Sequence, residues 1–285
     1  MATDIVQAEA RERPRAAVIA GLAAALTLAG SLVGLLGVGS PPHNLPAGLL
    51  FYHRHQGAQY ASGAGSALGA VAIAFVLDFL YRAARARNPE LSGRIRALPW
   101  VGGIGIAVVT VAYQIALGVN VRHFATHGSQ TYEEARKAVD AGVPPLFALL
   151  LQLALAVAIV LISINAMRVG LLTRFVGYLG VISGVLFVFA FVPVPIVQVY
   201  WLGALALLFW GRMPSGTPPA WERGEAVPWP TSAELRDQRV REAEARRGGA
   251  SGGDAVEGAV AEPDEPVGAA SGSGAAAKRK RKKRR

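Results

Sequence analysis

A charge-free apolar run at positions 16–38 limits what this chain can fold into more than any other feature. A helix crosses the hydrocarbon of a bilayer with about 20 predominantly apolar residues, and this run is long enough. A cleaved signal peptide is the competing reading, but its apolar core would be about 7–15 residues long, and Pro41 and Pro42 suit a cleavage site badly. An uncleaved spanning helix is therefore expected.

Comparable runs recur at 61–81, 98–119, 144–165, 175–192 and 196–210. The fold class that follows is an all-α membrane protein: a bundle of about six transmembrane helices over 16–210, carrying a disordered C-terminal tail. The sixth run is short and needs tilt or local thinning of the bilayer to cross. Only 17% of the chain is charged, against about 25% in soluble domains, although the last seventy or so residues are plainly polar. The apolar residues are therefore concentrated upstream, where lipid is the expected solvent.

The connections set sidedness. Arg11, Arg13 and Arg15 precede the first run, and Arg82, Arg85, Arg87, Arg94 and Arg96 crowd the link between the second and third. Arg168 and Arg174 flank the link between the fourth and fifth. With the 1–15 segment inside, these arginines all fall on one side, and the opposite loops hold only Arg54, Arg122, Arg136 and Lys137. By the positive-inside bias both termini are expected in the cytoplasm. In one outer loop, Thr131 with Glu134 three residues later predicts a capped amphipathic helix ending near Gly142. The other outer loop, with the apolar stretch 49–52, is expected to rest partly in the interface.

Beyond the bundle, 211–247 is a juxtamembrane segment rich in Pro, with Trp221 and Trp229, and with a polar helix candidate at 232–247. The stretch 248–285 reads as a disordered linker ending in an unbroken basic block. That block comprises Lys278, Arg279, Lys280, Arg281, Lys282, Lys283, Arg284 and Arg285. Near a membrane each such cation contributes about 1 kcal/mol toward anionic headgroups, and the same charge suits RNA. A solubilising tail with no specific partner explains it equally simply.

Several residues invite chemistry. All five histidines, His43, His53, His55, His123 and His127, fall in proposed outer loops. If the chain around His123 is helical, His123 and His127 lie one turn apart, a spacing that suits a shared zinc or copper ion. The bland reading is that histidine is excluded from lipid and short cytoplasmic loops are filled with arginine. No carboxylate neighbours them in sequence. Asp78 is the one acidic residue inside a proposed span, a position that points to proton or cation coupling. Its place one turn from the cytoplasmic end, with Arg82 at i+4, favours an ion pair instead. The intramembrane polar groups Gln114, Gln152, Asn165 and Gln198 suit interhelical hydrogen bonds or a solute path. Glycine rows such as Gly65/Gly69 and Gly180/Gly184 suit close helix contact.

With no cysteine, disulfides and thiolate metal sites are excluded. Gly102-Gly103-Ile104-Gly105 lies in an apolar run with no following lysine and is not a phosphate loop. No cofactor and no enzymatic chemistry are expected. The stretch NAMRVGLLTRFVGYLGVISG at 165–184, followed by 198–203, resembles small bacterial multi-pass proteins classed as domains of unknown function. The resemblance implies a membrane location and six or so helices, and brings no activity.

The expectation from sequence is thus a six-span protein of the bacterial inner membrane. Its partners are the lipid bilayer and, through the tail, anionic lipid headgroups or RNA, in the manner of a scaffold or envelope component. A small-solute or metal-ion permease using the outer histidines is the alternative. Self-association into a homo-oligomer stays open.

Overall fold

The computed structural model describes residues 2–36, 42–140, 142–189, 195–214 and 216–229, with positions 234, 236, 237 and 239–244. The chain divides into two units, Met1–Trp229 and Pro230–Arg285. In the second, the described positions are helical and exposed. The linker and the basic block expected at 248–285 lie outside the described residues.

Every regular element of the first unit is helical: α1 (Ala2–Leu36), α2 (Leu45–Arg54), α3 (Gln56–Arg87), α4 (Ala97–His127), α5 (Tyr132–Val139), α6 (Pro145–Arg168), α7 (Arg174–Val188), α8 (Ile196–Phe209) and the single turn α9 (Ala220–Arg223). A 3-10 turn, Gly93–Arg96, leads into α4. Four stretches are long and apolar enough to cross a membrane: Thr3–Val33, Gln56–Arg87, Gly93–His127 and Pro145–Arg168. With 15 and 14 residues, α7 and α8 are shorter. At 1.5 Å per residue they reach about 21–22 Å, against roughly 30 Å of hydrocarbon.

Polarity is distributed as a bilayer requires. Large apolar side chains such as Val108, Ile115, Leu150, Phe175, Ile182 and Leu207 point outward, an apolar belt that water would not tolerate on this scale. Small residues pack inside. Gly30 of α1 lies against Ser62 and Ser66 of α3, and Gly65 and Gly69 of α3 lie against Gly30 and Thr27 of α1. A Cβ on Gly102 would strike the Leu155 backbone of α6, and one on Gly103 would strike the Ala70 carbonyl of α3. The glycine-rich run at 102–105 is therefore the seam by which α4 packs between two neighbours.

The helices form a ring. Each of α1, α3, α4, α6, α7 and α8 packs on the next in that order, and α8 closes on α1. The short helices α7 and α8 are thus full members of the wall. The loop expected around 49–52 is α2, whose Leu49 is buried in a small apolar cluster with Leu117, Val121 and Phe124 of α4 and Ala135 and Ala138 of α5. The predicted cap of α5 is present: the Thr131 hydroxyl accepts from Glu134 N, while the Glu134 carboxylate accepts from Gln130 N.

Three wall helices run well past the hydropathy reading: α3 covers Gln56–Arg87 rather than 61–81, and α1 and α4 are longer as well. Helix α1 begins at Ala2 and runs through Pro14, because Glu9 and Glu12 on its first turns meet arginines of α3. Helix α4 continues to His127, so both second-loop histidines stand on it.

Candidate functional site

At one end of the ring, the basic end, arginines meet carboxylates from distant parts of the chain. Arg87, at the last turn of α3, has a side chain wholly removed from solvent. A guanidinium carries five N–H donors, and an unpaired one would be costly at such a site. All five are used. Nη1 donates to Glu9 Oε1 (2.6 Å) and Ala83 O (2.9 Å), Nη2 to Glu9 Oε2 (2.8 Å) and Ala220 O (2.9 Å), and Nε to Ala220 O (3.1 Å). The bidentate pair joins α1 to α3, and the shared carbonyl joins both to the segment that follows α8.

That segment, 212–229, forms a strap across the basic end. It starts from a glycine-terminated helix: Gly211 takes φ +71, Arg212 N donates to Leu207 O and Gly211 N to Leu208 O, which satisfies the last carbonyls of α8. Helix α6 ends the same way at Gly170, with Leu171 N on Ala166 O and Gly170 N on Met167 O. The strap then satisfies the turn between α6 and α7. Val227 N donates to Val169 O, Trp221 Nε1 to Leu171 O (2.9 Å) and Trp229 Nε1 to Leu172 O (2.8 Å). The Trp221 ring packs among Phe79 and Phe209, with the guanidinium carbons of Arg13 and Arg87 at 4.8 and 5.4 Å from its centroid.

Asp78 belongs to the same end. Its Oδ1 accepts from Arg96 Nε (2.7 Å) and Trp100 Nε1 (3.3 Å), and its Oδ2 from Arg82 Nε (3.1 Å). Arg82 also reaches Glu12 at 2.8 Å. The i+4 partner read from the sequence is present, and two further donors, Arg96 of the 3-10 turn and Trp100 of α4, share the carboxylate.

The opposite, histidine end carries Arg54, Arg122, Arg136 and Lys137 together with Glu133, Glu134 and Asp140. His123 and His127 stack with ring centroids 5.4 Å apart, and His127 Nδ1 lies 2.6 Å from the Thr126 hydroxyl. His55 Nδ1 lies 2.8 Å from Phe51 O, His53 Nδ1 is buried without a partner, and His43 is exposed ahead of α2. Among the described residues, no three of His, Cys, Asp or Glu converge as a metal site would require. Tyr52 donates to Gln114 Oε1 at 2.6 Å, and Gln56 to Gly118 O. Burial, reinforced by the neighbouring phenols of Tyr60 and Tyr113, pushes the Tyr52 hydroxyl up to about 12, so it stays a proton donor.

Between the two ends, displaced toward the histidine end, the wall helices line a cavity of about 680 Å³ that is open on the side of α7 and α8, where Phe189 and Ile196 are exposed. All six wall helices line it. Thr27 and Ser31 come from α1, Ser66 and Ile73 from α3, Ile106 and Thr110 from α4, Leu151 and Gln152 from α6, Ser183 and Phe187 from α7, and Gln198 from α8. No lining residue is charged. Toward the basic end the space is closed by the main apolar core, in which Leu77, Leu80, Ile159, Ile162, Leu202 and Leu205 are fully buried. Gln152 and Gln198, noted in the sequence as intramembrane amides, meet here. The ring was not legible in the sequence, because its residues come from six separated segments.

No family model, curated protein or solved structure matches the chain, so its function is argued from its own geometry.

Proposed function

We propose that this chain is a bacterial inner-membrane protein that crosses six times, with the basic end in the cytoplasm, and binds a small uncharged solute as a permease. The observation that carries this reading is the cavity lined by all six wall helices without a charged side chain. An ion entering it would lose hydration and find no counter-charge, which costs several kcal/mol. A neutral solute pays no such penalty, and hydroxyls and amides are available to it. The volume falls within the range of about 300–1,000 Å³ typical of small-molecule sites. The six-span count is supported by the place of α7 and α8 in the ring, where their shortness is covered by neighbours on both sides. The arginines gathered at the basic end support the orientation.

Osmotic swelling of proteoliposomes tests the reading. Uncharged diols and amides are expected to enter faster than in protein-free liposomes, and the matched carboxylates and amines are not. Thr110→Phe, which fills the cavity from α4, should remove the difference. Equal swelling of wild type, filled variant and bare liposomes would refute transport.

A second reading, a membrane scaffold whose basic tail engages anionic lipid headgroups or RNA, draws on the strap. The strap holds the chain at the basic end up to Trp229, and the basic block 278–285 follows in sequence as a source of charge for anionic partners.

A further inference from the structure

We infer that the cavity takes an uncharged amphiphile, an apolar chain ending in a carbonyl, ester or ether oxygen, and that Ser183 on α7 is the group that seats the oxygen. The inference rests on the solute-binding reading and specifies its ligand.

Several polar side chains within this bundle are paired. Ser31 Oγ donates to Thr27 O, Ser62 Oγ to Gly30 O, Gln152 Nε2 to Phe187 O and Asn165 Nδ2 to Leu161 O. Ser183, like Ser163 and Trp201, is not paired, and of these three it alone belongs to the cavity lining. It lines the cavity, is 1% exposed, and its hydroxyl has no partner. A helical serine ordinarily bonds the carbonyl one turn back, so an unpartnered hydroxyl buried in the cavity wall is a donor left for something else.

The surroundings set the chemistry of the rest. Gln198 lines the same wall from α8. Near Gly180 of α7, Trp201 Nε1 of α8 and Ser163 Oγ of α6 are also buried without partners. Neither of these two residues lines the cavity, so the unpartnered hydroxyl of Ser183 is the donor offered to a ligand that accepts. The remaining lining is mainly apolar, with Ile73, Ile106, Leu151 and Leu186 offering a bed for a hydrocarbon chain. A phospholipid headgroup is a poor occupant, because its phosphate would meet no cation there.

The test uses the full chain in nanodiscs and two photoreactive probes, an alkyl-diazirine methyl ester and the corresponding free carboxylate, with labelled positions mapped by mass spectrometry. The ester is expected to label 183–189 and 148–152 saturably, to be displaced by 2-decanone and not by decanoate, and to lose about tenfold in affinity in Ser183→Ala. Thr110→Phe should abolish saturable labelling, with an unchanged circular-dichroism spectrum verifying its fold. Unchanged affinity in Ser183→Ala, with saturable labelling retained, would overturn the seat and leave the cavity reading standing. Equal labelling by the carboxylate would overturn the ligand class. Saturable labelling without solute swelling would remove the permease and keep the site.

Discussion

Removing either partner of the Arg87–Glu9 pair should weaken the fold far more than removing a comparable pair nearby. The side chains of Arg87 and Glu9 are 0% and 11% exposed, and all five guanidinium donors are engaged. Arg87→Met deletes two charge-assisted bonds, strands the Glu9 carboxylate and strips the Ala220 carbonyl of both donors. Breaking one side of a buried pair costs about 3–5 kcal/mol. The small exposure of Glu9 puts the expected loss at about 3 kcal/mol, or roughly two decades in the folding constant. Glu9→Gln keeps one acceptor and should cost about 2 kcal/mol. The double variant should cost little more than Arg87→Met alone, a coupling of about 2 kcal/mol. Arg82 and Glu12 are the control, because at 45% and 47% exposure their pair should be worth less than about 1 kcal/mol. The assay is equilibrium unfolding in mixed micelles with rising dodecyl sulfate, followed by tryptophan fluorescence. If both pairs cost the same, or the two changes at 9 and 87 add without coupling, the argument from burial fails.

Three further outcomes are expected. In this cysteine-free chain, Ser129→Cys should react with an impermeant thiol reagent on intact cells and Ser251→Cys should not; labelling at position 251 would overturn the six-span topology. Gly170→Ala should cost about 2 kcal/mol, because that residue combines a φ of +78 with a Cβ position occupied by the Val227 carbonyl, whereas Gly142→Ala, at φ +71 in open space, should cost about 1; denaturant midpoints compare them. Deleting 278–285 should abolish salt-sensitive flotation with vesicles rich in anionic lipid, and undiminished flotation would end the scaffold reading.

How far the sequence carried the fold depended on the range of the signal. Apolar runs placed the wall helices, because each run is a local property of consecutive residues. The cap at Thr131 and the glycine contacts of Gly65, Gly69, Gly180 and Gly184 were legible for the same reason. The true start of α1 was not, since residues 2–15 are polar and are held as helix through partners on α3. Arg87 read as one sidedness marker among many, because nothing local distinguishes it from Arg85, which is exposed. Its carboxylate lies 78 residues away and its carbonyl 133 residues away. Trp221 and Trp229 were visible as residues but not as donors to the carbonyls of the α6–α7 turn. Ser183 gave no signal at all, since only the ring makes its hydroxyl a buried and unshared donor.

The strap also imposes an order on biosynthesis. Glu9 emerges first and waits for Arg87, and Arg87 lacks two of its five acceptor contacts until Ala220 has been made. The carbonyls of Leu171 and Leu172 wait for Trp221 and Trp229 in turn. A nascent chain halted after α8 holds every wall helix, yet carries a buried cation with incomplete contacts and bare carbonyls at its basic end. Arrival of the strap is then the step that supplies these contacts and completes the basic end.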